Sequence, residues 1–186
     1  MAIYDQIGRT YATTRIPDQR LAAAIASQLT EPESTSHESK TEQSKAMLTI
    51  ADVGAGTGNY SNLLAGLGHQ VVAVEPSVVM RSQAEPHANV TWYEGIAEQL
   101  PLQDNSVDHA ISQLSLHHFS DRPQALQEMV RVVRPGGRLV FFTFDIRQCE
   151  PFWLTDLGSG AWKERYGAVL GRERFDAGYR LVCAEA

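Results

Sequence analysis

The sequence predicts an α/β domain with an open, doubly wound, mostly parallel sheet, helices on both faces and an antiparallel strand at the C-terminal edge. Three observations carry this. From residue 47 onward, short apolar runs alternate with amphipathic stretches. Several of the runs, such as "VVAVE" and "RLVFFTF", are almost continuously apolar, as strands covered on both faces by crossover helices are. A glycine-rich turn, "GAGTG", follows the first run, at the strand end where open sheets of this kind place ligands.

The elements follow in order. "DQRLAAAIASQL", residues 18–29, is predicted as a helix, with Leu21, Ala24, Ile25 and Leu29 at helical spacing and Asp18 as its cap. "TEPESTSHESKTEQSKA", residues 30–46, is polar and almost free of apolar groups, so it is expected to be a mobile linker. The chain thus divides into an N-terminal helical segment (1–29), the linker (30–46) and a domain (47–186). In that domain "MLTIADV" is the first strand, and "YSNLLAGL" a helix with Leu63, Leu64 and Leu67 on one face. "HQVVAVE" is the second strand, "SVVMRSQAE" a short helix ending before Pro86, and "NVTWYEG" the third strand. "DHAISQ" is the fourth strand. "DRPQALQEMVRVV" is a helix capped by Asp121, with Leu126, Met129, Val130 and Val133 along one side, and "RLVFFTF" is the fifth strand.

Bulk composition excludes several classes. With 186 residues the chain is long enough to bury a core unaided, and 43% hydrophobic with 20% charged residues is ordinary for a soluble globular protein. A net charge of -6 argues against a general nucleic-acid binder. Cys149 and Cys183 form neither a CxxC pair nor part of a Cys/His cluster, so no metal or disulfide framework is expected. The sequence shows no membrane-spanning run and no signal peptide, so no membrane association and a cytoplasmic location are expected.

Chemistry concentrates around the glycine turn. Gly54, Gly56 and Gly58 make a G-x-G-x-G pattern, with Asn59 where a dinucleotide fingerprint would carry its third glycine. The tighter spacing favours a ligand more compact than a pyrophosphate. Glu75 ends the next strand, about 20 residues beyond the first glycine, where a carboxylate accepts hydrogen bonds from ribose hydroxyls. Together they point to a nucleoside bearing an unphosphorylated ribose.

Four segments in this order resemble the class I S-adenosylmethionine-dependent methyltransferases: "VGAGTGNYS", "VVAVEPSVVM", "GIAEQLPLQDNSVDHAISQLSLHHF" and "EMVRVVRPGGRLVFFTFD". The resemblance covers roughly residues 47–145 and implies a Rossmann-like fold with S-adenosyl-L-methionine as cofactor. It implies that Asp52, Gly54 and Gly56 shape the pocket around the methionine moiety, with Ala55 and Gly58 in the same cradle. Glu75 would bind the ribose, Pro76 and Ser77 would line the adenine, and Ile96 and Ala97 would pack beside it. Many relatives carry an Asp where Ile96 stands, so the adenine amino group would find its partner elsewhere. Gln113 would lie near the methionine part, and Tyr11 and Arg15 of an N-terminal segment would fold over the cofactor, Arg15 toward its carboxylate.

Methyl transfer from a sulfonium is a direct displacement whose leaving group departs neutral, so alignment and exclusion of water are the main requirements. A base is needed only where the acceptor loses a proton. His117 and His118, after the fourth strand, are candidates, with loop packing as the plainer alternative. The acceptor is expected to be a small molecule. Beyond residue 145 the chain departs from the family: "EPFWLTD" and the C-terminal residues look like two ends joined across a missing section that would hold the sixth strand and part of the acceptor pocket. "SGAWKERYGAVLG" is expected to be a helix, and "YRLVCAEA" to pair antiparallel with the fifth strand, leaving an edge through which two copies could pair. Two other functions stay open: a cofactor-binding but catalytically weak remnant or regulatory module, and, disfavoured by the glycine spacing, a nicotinamide-dependent oxidoreductase.

Overall fold

A computed structural model describes residues 4–7, 17–29, 47–144, 171–174 and 179–185. The expected linker, Tyr11 and Arg15 lie outside the described residues, as does the expected helix over residues 159–171 except for Gly171, which is in a strand rather than a helix.

The described chain opens with α1 (Tyr4–Ile7) and α2 (Gln19–Leu29). Asp18 starts α2 as expected: its carboxylate accepts the Arg20 amide at 2.9 Å and its carbonyl the Ala22 amide at 3.1 Å. The first satisfies a donor that the opening turn cannot pair internally, and the second is the first bond of the helical ladder. Strand and helix then alternate through β1 (Thr49–Val53), α3 (Asn59–Gly66), β2 (Gln70–Val74), α4 (Val78–Arg81) and β3 (Val90–Tyr93). They continue through β4 (His109–Gln113), a 3-10 turn (Leu116–His118), α5 (Arg122–Val132) and β5 (Arg138–Phe144). Two further strands follow, β6 (Gly171–Arg174) and β7 (Tyr179–Glu185).

The seven strands form one sheet in the order β3-β2-β1-β4-β5-β7-β6. β1 to β5 are mutually parallel. β7 runs antiparallel to β5, and β6 antiparallel to β7. The expected C-terminal edge is therefore corrected. "YRLVCAE" does not form the edge, because β6 pairs with its far side, and the sheet position thought to be missing is occupied. The order reverses between β1 and β4, so the connections after β1 and β4 leave in opposite directions and open a crevice at their carboxyl ends.

Two apolar layers sandwich the sheet. Leu21, Ile25 and Leu29 of α2 join Leu64 of α3 and Ile50, Val71 and Val140 of the strands. On the other face Leu126 and Met129 of α5 pack with Ala51, Val53, Val74 and Leu139. Adjacent residues of β1, Ile50 and Ala51, belong to opposite layers, as the two-residue period of a strand requires.

The expected helix faces shift slightly. On α3, Leu64 and Ala65 are buried while Leu67, which follows the helix, is exposed; on α5, Val130 faces solvent and Val132 takes the core position. The expected helix "SVVMRSQAE" shortens to Val78–Arg81, which ends well before Pro86. Among the described residues no helix is long and apolar enough to cross a membrane.

Candidate functional site

The carboxyl ends of β1, β2 and β4 converge on the glycine turn. The turn is pinned to β2: the Gly54 and Ala55 amides both donate to the Val74 carbonyl, at 2.8 and 3.1 Å. Gly54, Gly56 and Gly58 all have left-handed backbone, with φ of 75°, 60° and 75°, a region that side chains disfavour.

What each glycine makes room for within the chain differs. A Cβ on Gly54 would lie 2.6 Å from Ser115 Cβ, and one on Gly58 would lie 2.5 Å from the Trp92 ring. Those two glycines admit the chain's own side chains. On Gly56 the nearest atom would be the flexible Met80 methyl, at 3.3 Å. Gly56 is thus the least hemmed in of the three.

Glu75, one residue beyond β2, is 6% exposed. One of its carboxylate oxygens accepts the Gly56 amide at 3.0 Å and the other accepts the Ser77 amide at 2.9 Å. Burial pushes its carboxyl above the ordinary range, opposed by these two amides. A carboxylate has about four acceptor sites, so two remain for a ligand. The Ser77 hydroxyl accepts the Met80 amide, capping α4, and donates to Asp5 of α1 at 2.7 Å. Pro76, between them, is half-buried.

Asp52, one residue before the end of β1, is 2% exposed and accepts a 2.6 Å hydrogen bond from the Ser61 hydroxyl of α3. Burial is the main force raising its carboxyl to about 7; the Ser61 bond opposes this and the Glu75 charge adds to it.

The loop after β3 carries Ile96 and Ala97. Ile96 is exposed, whereas the Ala97 side chain belongs to the core. Glu98 ties this loop to the start of α5 by accepting the Ser120 amide at 2.6 Å and the Asp121 amide at 3.1 Å.

The other wall follows β4. Gln113 ends that strand, and its buried side-chain nitrogen has no hydrogen-bond partner among the described residues. Leu114 then adopts left-handed backbone, with φ 51°, a strained state for a branched side chain. Ser115 bonds the Ser112 hydroxyl at 2.5 Å and donates to the Val53 carbonyl at 3.1 Å. It thereby joins the turns after β1 and β4.

His117 and His118 occupy the 3-10 turn, their ring centroids 3.8 Å apart. His118 Nε2 lies 2.8 Å from the Tyr4 hydroxyl, with the two rings edge to face. Burial lowers both imidazoles, His117 to about 4 with help from the His118 and Arg122 charges. Both rings are therefore neutral at physiological pH.

The site also includes residues that the sequence reading passed over. Tyr4 and Asp5 tie α1 to both sides of it, Tyr4 to the 3-10 turn after β4 and Asp5 to the start of α4. Ser115 and Trp92 explain two of the glycines. Only the pairing of each glycine with a bulky neighbour would have shown them, and that pairing is non-local. His69, His87 and His109, given no role from the sequence, accept the backbone amides of Leu48, Asn89 and Arg138.

Residues 51–141 match the methyltransferase domain family. The chain carries a class I methyltransferase domain. The ubiquinone/menaquinone biosynthesis C-methyltransferase of Rubrivivax gelatinosus is 40% identical over 97 residues, covering 51% of this chain and 39% of that protein. A crystal structure of an inferred methyltransferase from an antibiotic biosynthesis pathway of Anabaena variabilis shares 45% identity at a TM-score of 0.63, covering 81% of this chain and 56% of that one. The 4+2 cyclase SpnF shares 25% identity at a TM-score of 0.57, covering 67% of this chain and 44% of that one. The chain thus spans less than two thirds of the length of each of these three proteins.

Proposed function

We propose that this methyltransferase domain binds S-adenosyl-L-methionine in the crevice between the β1, β2 and β4 ends and passes its methyl group to a small-molecule acceptor. The observation that carries this reading is the Glu75 carboxylate, buried and braced by the Gly56 and Ser77 amides with acceptor capacity to spare. Two vicinal hydroxyls of a ribose fit that spare capacity. The unpaired Gln113 nitrogen fits an acceptor such as the carboxylate of the methionine part. Asp52 supplies negative character near a cation. Ile96, exposed on the β3 loop, offers an apolar surface to the adenine ring.

When bound, the cofactor supplies an electrophilic methyl on a sulfonium. The chain's own residues then have three tasks. Glu75, Gln113 and the glycine turn hold the nucleoside and amino-acid ends so that the reacting centre is fixed in one place. α1, through Tyr4 and Asp5, covers the crevice and limits access of water. Where the acceptor must lose a proton, His117 or His118 receives it, since both are held neutral. His118 can act through Nε2 only once the Tyr4 contact opens. Calorimetry with S-adenosylmethionine, its demethylated product and NAD tests the reading: the first two bind and NAD does not. Binding of NAD alone would reject it.

The second reading, a cofactor-binding domain that does not transfer methyl groups, is favoured by the likeness to a cyclase on the same fold. Turnover against a panel of hydroxyl, amine and carbon acceptors separates the two, because the second reading predicts binding without product.

A further inference from the structure

We propose that the ligand-free site holds a proton between Asp52 and Glu75 and releases it when the cationic cofactor binds; the release rests on the cofactor reading above. Asp52 and Glu75 sit at the carboxyl ends of neighbouring parallel strands, and both are almost wholly removed from water. Two carboxylates sharing a dry site do not both ionise readily, since each charge disfavours the other and neither is solvated.

The surrounding groups sharpen this. From α1, Asp5 adds a third negative charge beside Glu75. From α4, Arg81 donates to the Glu75 backbone carbonyl and pairs at 2.5 Å with Glu94 beyond β3; its positive charge lowers the Glu75 carboxyl, opposing Asp5 and leaving Asp52 the better place for the proton. From α3, Asp52 meets the neutral Ser61 hydroxyl. No cation hydrogen-bonds the Asp52 carboxylate among the described residues. Glu75 receives two amide donors and Asp52 one hydroxyl, so the proton resides mainly on Asp52. The raised carboxyl values of both residues agree in direction.

Nucleoside sulfonium binding brings positive charge into this pocket and favours the doubly ionised pair. Affinity therefore rises with pH below neutrality, by up to about tenfold per pH unit while the proton is still held. Binding near neutrality releases protons in proportion to how far the pair is protonated beforehand, and the release fades as pH rises.

The test has two arms. In the first, S-adenosylmethionine is titrated calorimetrically at pH 7 in phosphate and in Tris, whose ionisation heats differ. The wild-type heat depends on the buffer in the sense of proton release. Asp52→Asn, which keeps an acceptor for Ser61, loses that dependence. Buffer-independent heats from the wild type, or unchanged release from Asp52→Asn, overturn the proposal. In the second arm, the Asp52 carboxyl carbon is titrated by NMR in the ligand-free wild-type protein. A midpoint near neutrality supports the stored proton, and a midpoint in the ordinary carboxylate range overturns it without reference to any ligand. Absence of all binding heat rejects the cofactor reading and with it the release, leaving the NMR midpoint to decide storage on its own.

Discussion

The Gly56 amide and the Glu75 carboxylate are joined by a 3.0 Å hydrogen bond. The middle glycine of the turn and the acidic end of the next strand therefore form one rigid unit. A carboxylate braced this way loses little further freedom on meeting a ligand, which is how preorganised sites gain affinity.

The three glycines should separate by experiment. Gly58→Ala drives a methyl into Trp92 and should cost about 1–3 kcal/mol from overpacking, with backbone strain added. Gly56→Ala meets only a flexible methionine and should be milder in stability. Urea unfolding measures both. Trp92→Phe, whose shorter ring ends before the clashing atoms, should recover part of the Gly58→Ala loss. Equal losses at Gly56 and Gly58 would show that packing does not distinguish them.

The N-terminal helix is an integral part of the core. Ile25 is fully buried against the sheet face built from Ile50, Val71 and Val140. Ile25→Ala should destabilise by about 2–5 kcal/mol. Thermal or urea denaturation reads this directly, and a loss under about 0.5 kcal/mol, typical of a surface position, would show that α2 is only a surface appendage.

Acid stability should report on His117. Its folded value is lowered to about 4 from an ordinary 6.5, so between those values the unfolded chain binds more protons than the folded one. Stability therefore rises with pH across that window and is lost as pH falls through it. His117→Gln removes the group and should flatten that part of the stability profile. The contribution is modest because the ring is only half-buried. An unchanged acid limb in the variant would assign the loss to other groups, such as His109 or His118, which are lowered in the same direction.

The strands that were legible were those with continuous apolar runs. "RLVFFTF" is β5 from its first residue to its last, and the other four parallel strands are each read within two residues of either end. Gly171–Arg174 was illegible for a physical reason: "GRER" carries no apolar alternation, and its strand state comes from pairing with β7. Helix faces slipped by one or two positions at Leu67 and Val130 because spacing alone does not say which of two flanking apolar residues meets the sheet. In the site, Glu75 and the glycines were visible because local spacing encodes them. Tyr4, Asp5, Trp92 and Ser115 were not, because their roles depend on contacts 34 or more residues away in the chain.

The central claim is that the Glu75–Gly56 unit is the nucleoside clasp of an S-adenosylmethionine site. The direct measurement is the calorimetric affinity of wild type and Glu75→Ala for S-adenosylmethionine at one pH. Binding by the wild type, weakened by roughly one to two orders of magnitude in the variant, is the predicted result, as loss of charge-assisted hydrogen bonds requires. Equal affinities in the two proteins, or no binding by the wild type, would contradict it.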